Sequence, residues 1–347
     1  MQHRTAIALL VAALACGTAQ AAAEQIPPEL ANVRRLERDV VAARKAGGGA
    51  ELGKALAYLC AGRYAARQLK PAEAACREAL PLVEKYGPRK AAPGVHAGLA
   101  QVLKDRGDAD AADAAQLRAI GLYDAQKRAA EAAAARINLF NWRLERGQAE
   151  PARQVVIPAI RWHEAELKAG RGDARLLRNL YWQYGSASRS LGKLEQAGKL
   201  YMGALGLAQQ QQDKVAEAEI REELGSLYHE QKNDQASLEQ YDAALQLNIA
   251  LGNTQPQAFD HANAGLALAG LGKHVEAIGR YRQALQGVTA ATDAAESARI
   301  HMEIGTSFAA LERVADALPE YQRAVALRRK LPDRAALGES LQALGDA

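Results

Sequence analysis

Small and aromatic residues recur along the second half of this 347-residue chain with a fixed period of 40 residues. Each of four glycines is followed, at the same three offsets, by a small residue, a tyrosine and an alanine. The glycines are Gly185, Gly225, Gly265 and Gly305, with Gly345 in phase after them, and the sets are Ala197/Tyr201/Ala204, Ser237/Tyr241/Ala244, Ala277/Tyr281/Ala284 and Ala317/Tyr321/Ala324. Such a repeat predicts a stack of similar units that bury their apolar faces against one another.

The spacing inside each set predicts a pair of helices. Steps of four and three positions place the small residue, the tyrosine and the alanine on one face of a helix, which we call the B helix. The glycine lies in the middle of an earlier helix, the A helix, and turn residues such as Gly192 and Gly272 separate the two. Small residues on both helices let them approach closely, so that the tyrosine fills the gap to the next unit.

This order of residues resembles the tetratricopeptide repeat, whose usual period is about 34 residues. The additional residues of each unit fit about 1.5 further helical turns plus a looser loop, as in the longer variants of that family. The resemblance implies an all-α, right-handed solenoid of antiparallel helix pairs. It also implies a concave groove, lined by the A helices, that binds a protein or peptide partner.

The repeat phase, together with the sequence patterns before and after the repeats, predicts five segments along the chain. They are a signal peptide at 1–21, a capping helix within 22–49, three degenerate units at 50–173, four well-matched units at 174–332, and an incomplete eighth unit at 333–347. In the degenerate units the tyrosine position holds Cys76, Gln116 and Val156.

The segment 1–21 has the pattern of an export signal. A short basic start at His3 and Arg4 precedes an apolar run, and Ala19-Gln20-Ala21 offers a cleavage site before Ala22. The run is too short to span a bilayer, so we expect a periplasmic protein. Two alternatives stay open, a cytosolic protein with an apolar start and a lipid anchor at Cys16, whose surroundings partly resemble the lipobox of bacterial lipoproteins.

Composition and motifs narrow the function further. The net charge is +4 with acidic and basic residues interleaved, so no basic face for nucleic acid is evident, and no later segment reads as a membrane span. The sequence carries none of the common catalytic, phosphate-binding or metal-binding motifs. We therefore predict no enzyme activity and no cofactor. His261 and His301 occupy equivalent positions, but neighbouring helices about 8–10 Å apart and the lack of a third ligand argue against a metal.

The only cysteines after the signal are Cys60 and Cys76. In the repeat register they take the glycine position of an A helix and the tyrosine position of its B helix, at similar heights on facing helices. Either a disulfide, which an exported protein can keep, or two buried free thiols fits this arrangement.

The resemblance assigns the partner-binding groove to A-helix side chains. These are Asn138 and Asn141 in the third unit, Trp182, Gln183 and Arg189 in the fourth, Glu222, Glu223, Ser226 and His229 in the fifth, Asn263 in the sixth and Glu303 in the seventh. Glu222 and Glu223 lie where chaperone-binding members carry cations, which favours a ligand with a basic or mixed surface. The alternative is that these side chains are solvated groove walls.

The sequence thus favours an exported, non-catalytic interaction scaffold. A rival hypothesis is an assembly or anchoring subunit of an envelope complex that docks or self-associates through the apolar residues Leu337, Leu341 and Leu344 of its final helix. A second rival, suggested by the end of the sequence in mid-unit, is the regulatory region of a longer, enzyme-linked protein.

Overall fold

A computed structural model describes residues 28–87, 90–289 and 291–347, with side chains from residue 32 onward. The expected signal peptide, its cleavage site and Cys16 lie outside these residues. The described residues form sixteen helices and no strand. They are α1 (Pro28–Lys45), α2 (Gly49–Ala65), α3 (Leu69–Tyr86), α4 (Ala92–Asp105), α5 (Ala109–Ala125), α6 (Ala129–Glu145), α7 (Ala149–Lys168), α8 (Ala174–Ser190), α9 (Leu194–Gln210), α10 (Lys214–Glu230), α11 (Asp234–Leu251), α12 (Thr254–Gly270), α13 (His274–Gly287), α14 (Ala294–Ala310), α15 (Val314–Arg328) and α16 (Arg334–Asp346).

The chain divides into two compact units, Met1–Ala165 and Glu166–Ala347. In the first unit, α2 packs on α3 and α4 packs on α5 as antiparallel pairs. Its core is alanine-rich and includes Leu56, Val83, Leu99 and Leu139. In the second unit the pairs are α8 with α9, α10 with α11, α12 with α13 and α14 with α15.

Short polar turns define where the helices begin and end. In six of the described helices the side chain of Asp or Asn caps the first turn by accepting a backbone N–H, a contact that contributes about 1 kcal/mol each. The turn after each A helix of the second unit requires a left-handed residue: Gly192 and Gly272 supply it at two of the turns, whereas Lys232 and Glu312 adopt φ 61° and 59° at the others. Glycine adopts this conformation without the steric penalty of a Cβ.

The glycines of the repeat lie where the A and B helices touch. A Cβ built on each of these glycines would lie too close to Cε1 of the tyrosine on the paired B helix. The distances are 2.7 Å for Gly185 and Tyr201, 2.8 Å for Gly225 and Tyr241, 2.5 Å for Gly265 and Tyr281, and 2.5 Å for Gly305 and Tyr321. Atoms this close would clash, so only glycine allows the tyrosine ring to lie flat against the A helix. The predicted fold, an all-α stack of antiparallel helix pairs, is confirmed in each unit.

The first helix pair carries the chain's disulfide. Cys60 on α2 and Cys76 on α3 are bonded, with their Cα atoms 5.1 Å apart. Both side chains are buried among the core residues of the first unit.

The last helix, α16, packs on α15 through one face. Leu344 contacts the core of the second unit, whereas Leu341 is 43% exposed. Of the apolar residues predicted to dock a partner, Leu344 therefore packs within the chain and Leu341 faces solvent.

Candidate functional site

The candidate site is the set of A-helix side chains of the second unit that sequence analysis assigned to the groove. We call this surface the A-helix face. It is built on α8, α10, α12 and α14, and the predicted residues Trp182, Glu222, Glu223, Ser226, His229, Asn263 and Glu303 are all half-buried there.

Arg189 on α8 and Glu223 on α10 connect two neighbouring A helices. Arg189 donates from Nη1 to Oε2 of Glu223 at 2.9 Å and from Nε to Oε1 of Glu230 at 2.9 Å. Hydrogen bonding to Glu230 and the nearby charge of Glu223 raise the pKa of the Arg189 guanidinium, although burial opposes the shift. This cation is therefore fully engaged within the chain.

Two serines link the A-helix face to the B-helix tyrosines. Ser186 Oγ lies 3.0 Å from the hydroxyl of Tyr201, and Ser226 Oγ lies 2.8 Å from the hydroxyl of Tyr241. Tyr201 also donates to Oε2 of Glu223 at 3.4 Å. Ser226, which sequence analysis assigned to the groove, thus also contacts the paired helix through the hydroxyl of Tyr241.

Glu222 belongs to a buried polar cluster with Asn248 on α11 and Asp260 on α12. The amide nitrogen Nδ2 of Asn248 donates to Asp260 Oδ2 at 2.7 Å and to Glu222 Oε1 at 3.2 Å. Asp260 is fully buried, and its second oxygen, Oδ1, has no hydrogen-bond partner.

Burial raises the pKa of Asp260 to about 7, with the hydrogen bond from Asn248 opposing the shift and the charges of Glu222 and Asp242 adding to it. The pKa of Glu222 is also raised, mainly by burial, with the charges of Glu219 and Glu223 contributing. Protons therefore bind to this cluster more readily than to free carboxylates.

His229, at the end of α10, bonds through Nδ1 to Asp234 Oδ1 at 2.6 Å. Asn263 on α12 is half-buried. Glu303 on α14 is also half-buried, and burial raises its pKa while the more distant charges of Arg299, His229 and Arg328 oppose the shift.

The remaining predicted residues have different surroundings. Trp182 packs against the buried cluster around Tyr201 and Leu224, whereas Gln183 is exposed. Asn138 and Asn141 are half-buried on α6, which belongs to the first unit.

The histidines considered for a metal have protein partners. His301 Nδ1 lies 2.6 Å from Glu320 Oε2, and His261 Nδ1 lies 3.3 Å from Arg280 Nη1. Within the part of the chain that the structure describes, no group of three His, Cys, Asp or Glu side chains is arranged to hold a metal ion. None of the described helices is both long and apolar enough to cross a bilayer.

A surface depression of about 490 Å³ in the second unit is lined by four apolar and four polar residues: Leu285, Val288, Ala326 and Leu327, and Thr289, Ser297, His301 and Arg323. None of the predicted groove residues contributes to it.

Sequence reasoning missed Ser186, Glu230, Asn248, Asp260 and the hydroxyl of Tyr281. A signal for the serines was present, because Gly185, Gly225 and Gly305 are each followed by Ser or Thr whereas Gly265 is followed by Leu266. A signal for Asp260 was also present, because the equivalent positions of the other three well-matched units hold the buried apolar residues Leu180, Ile220 and Ile300.

Residues 179–211 match the sequence profile of the family described as tetratricopeptide repeat. No curated protein matches the chain.

Among solved structures, the apo form of RapI aligns over 91% of this chain and 82% of its own length, with 13% identity and a TM-score of 0.57. This similarity extends the fold over both units. A MamA structure aligns over 55% of this chain and 95% of its own at 22% identity and a TM-score of 0.41. YrrB, a tetratricopeptide-repeat protein with an unusual peptide-binding site, aligns over 63% of this chain and 96% of its own at 18% identity and a TM-score of 0.44. Residues 179–211 thus match a tetratricopeptide repeat, and both units are built of stacked helix pairs, as tetratricopeptide-repeat solenoids are.

Proposed function

We propose that this protein is an exported, non-catalytic scaffold that holds a protein or peptide segment on the A-helix face of its second unit. The tetratricopeptide-repeat fold supports a protein–protein interaction scaffold.

One observation carries the choice of surface. Polar side chains of the consecutive A helices α8 and α10 are held in fixed positions by hydrogen bonds between them, since Arg189 donates to Glu223 and Glu230. A surface that is already ordered loses little conformational entropy when a partner binds, which favours affinity. Polar groups at fixed positions also give specificity for an extended peptide backbone.

Export is supported by the sequence of segment 1–21 and by the bonded cysteines. Disulfides persist in oxidising compartments such as the periplasm and are rare in the cytosol. Amino-terminal sequencing of the protein from its own cells should give Ala22 as the first residue. A chain that retains Met1 in the cytosolic fraction would contradict export, and a chain that starts at a lipid-modified Cys16 would favour the anchored alternative.

Peptide selection tests the binding face. Peptides selected from a random library against the purified mature protein are measured by isothermal titration against the wild type, Gln183→Ala, Asn263→Ala and Val275→Ala. Val275 lies on the B helix α13 and is 69% exposed, so it serves as the control. We expect the two A-helix variants to weaken binding by about tenfold and the control to bind as the wild type does. Equal affinity for all four proteins would contradict the proposal.

The exposed Leu341 favours a second, weaker candidate, self-association through α16. Light scattering of the wild type and Leu341→Gln over a hundredfold concentration range tests it. A concentration-dependent dimer that Leu341→Gln abolishes would support this candidate, and a monomer throughout would exclude it.

A further inference from the structure

Two places on the A-helix face of the second unit are equivalent by the repeat and lie two repeat periods apart in the sequence. At the first, the carboxylate of Glu223 accepts hydrogen bonds from the Arg189 guanidinium at 2.9 Å and from the Tyr201 hydroxyl at 3.4 Å. Ser186 lies within 3.0 Å of the same hydroxyl. Every polar group at this place therefore has a partner from the chain itself.

At the second place the carboxylate and the tyrosine are retained, as Glu303 and Tyr281, but their partners are not. Ala269 stands where the first place has Arg189, and Leu266 stands where it has Ser186. Ala310 replaces Glu230, the other anchor of the guanidinium. The second place thus has the acceptor groups of the first without the cation that they bind.

The consequence is visible at the Tyr281 hydroxyl, which is buried without a hydrogen-bond partner, in a side chain that is fully buried. Burial, and then the negative charge of Glu303, raise the pKa of this hydroxyl. A buried polar group without a partner is destabilising, so the retention of this hydroxyl needs an explanation.

Glu303 has no direct cationic partner among the described residues. Arg299 lies one helical turn earlier, but both oxygens of Glu296 hold its guanidinium, at 2.8 and 2.5 Å. Arg299, His229 and Arg328 affect Glu303 only through their more distant charges. The Glu303 side chain is partly exposed, and the positions equivalent to Arg189 and Glu230 hold the smaller residues Ala269 and Ala310.

We propose that Glu303, together with the neighbouring Tyr281 hydroxyl, binds the guanidinium of an arginine side chain from the partner segment, in the place that Arg189 fills two repeat periods earlier. This inference rests on the proposed function, since it names the ligand chemistry of the same surface. Arginine fits better than lysine because its planar group donates two parallel N–H bonds to one carboxylate.

The peptide arm of the test uses selected peptides that bind the A-helix face. Each arginine in such a peptide is replaced in turn by citrulline, which keeps the shape of the side chain and removes its charge. We expect the replacement of one of these arginines to lower the affinity of the peptide for the wild type about tenfold. The same replacement should not change the affinity of the peptide for Glu303→Gln. Peptides that bind the face with no such coupled arginine would overturn this inference and leave the proposed function intact.

The second arm needs no ligand. Ala269→Arg supplies the missing cation from within the chain, and we expect it to raise the melting temperature by about 2–4 °C. The matched control is Ala309→Arg, one unit further on, where Ala343 stands in place of the carboxylate, and it should give no rise.

The two arms separate the possible failures. If no selected peptide depends on the A-helix face, the proposed function fails. The melting temperatures still test whether Glu303 can bind a guanidinium. No rise for Ala269→Arg, an equal rise for Ala309→Arg, or a rise that persists in Ala269→Arg/Glu303→Gln would overturn the inference.

Discussion

Ser226 on the A helix α10 lies 2.8 Å from the hydroxyl of Tyr241 on its paired helix α11. The same relationship, at the equivalent positions of the preceding unit, joins Ser186 to Tyr201 at 3.0 Å. A side chain at the edge of the A-helix face therefore also holds together the helix pair behind it, so the proposed binding surface and the stability of the pair depend on the same residue.

Ser226→Ala should destabilise the protein by about 1–3 kcal/mol, because it leaves the buried Tyr241 hydroxyl without a partner. Urea unfolding followed by circular dichroism measures the change. The double variant Ser226→Ala/Tyr241→Phe, which removes both polar groups, should recover much of the loss, and the exposed Gln183→Ala should stay within about 0.5 kcal/mol of the wild type. Unchanged stability of Ser226→Ala would show that the hydrogen bond contributes nothing.

Gly265→Ala should cost about 1–3 kcal/mol, because its Cβ would lie 2.5 Å from Cε1 of Tyr281 and force the ring to move. Gly279→Ala is the matched control. Gly279 lies inside helix α13 with open space around it, so alanine should stabilise it by about 0.5–1 kcal/mol through helix propensity. Thermal melts that shift in the same direction for both variants would contradict the predicted register.

The periodic residues could be predicted from the sequence because the contact between Gly265 and Tyr281 depends only on the backbone repeat. The hydrogen bonds could not, since the distance from Ser226 to the Tyr241 hydroxyl depends on the relative height of two packed helices. The repeat does mark Asp260, which stands where the other three well-matched units have Leu180, Ile220 and Ile300. The hydrogen bonds from Asn248 to Asp260 and to Glu222 could not be predicted, since they depend on how three helices pack.

Asp260 should make the protein less stable as the pH rises from about 4 to about 7. The folded state holds the proton up to a pKa of about 7, whereas the unfolded chain releases it near the ordinary pKa of aspartate. The unfolded state thus binds fewer protons over this range, and the free energy of unfolding falls with pH. The slope should level off above the folded pKa.

Asp260→Asn removes this titration, so its stability should change less between pH 4 and 8 than that of the wild type. Each unit of pKa difference corresponds to about 1.4 kcal/mol. Chemical unfolding at a series of pH values gives both curves. The exposed Asp316→Asn serves as the control, and identical pH curves for the wild type and Asp260→Asn would contradict the prediction.

The bond between Cys60 and Cys76 should stabilise the first unit by about 3 kcal/mol in the chain-entropy model, given a sequence separation of 16 residues. Alkylation of the denatured, non-reduced protein should label no thiol in mass spectrometry. Adding a reductant should lower the melting temperature of the wild type and leave Cys60→Ser/Cys76→Ser unchanged. Two alkylated cysteines in the untreated mature protein would rule out the bond.

Site-specific photo-crosslinking tests most directly whether the A-helix face is the binding surface. A photoreactive amino acid at position 183, on α8, or at position 275, on α13, is activated in cells that make the protein, and cross-linked peptides are identified by mass spectrometry. The account predicts that position 183 joins one discrete partner segment, that the product is lost in Asn263→Ala, and that position 275 joins none. The same products from both positions, or a discrete product from position 275 alone, would contradict it.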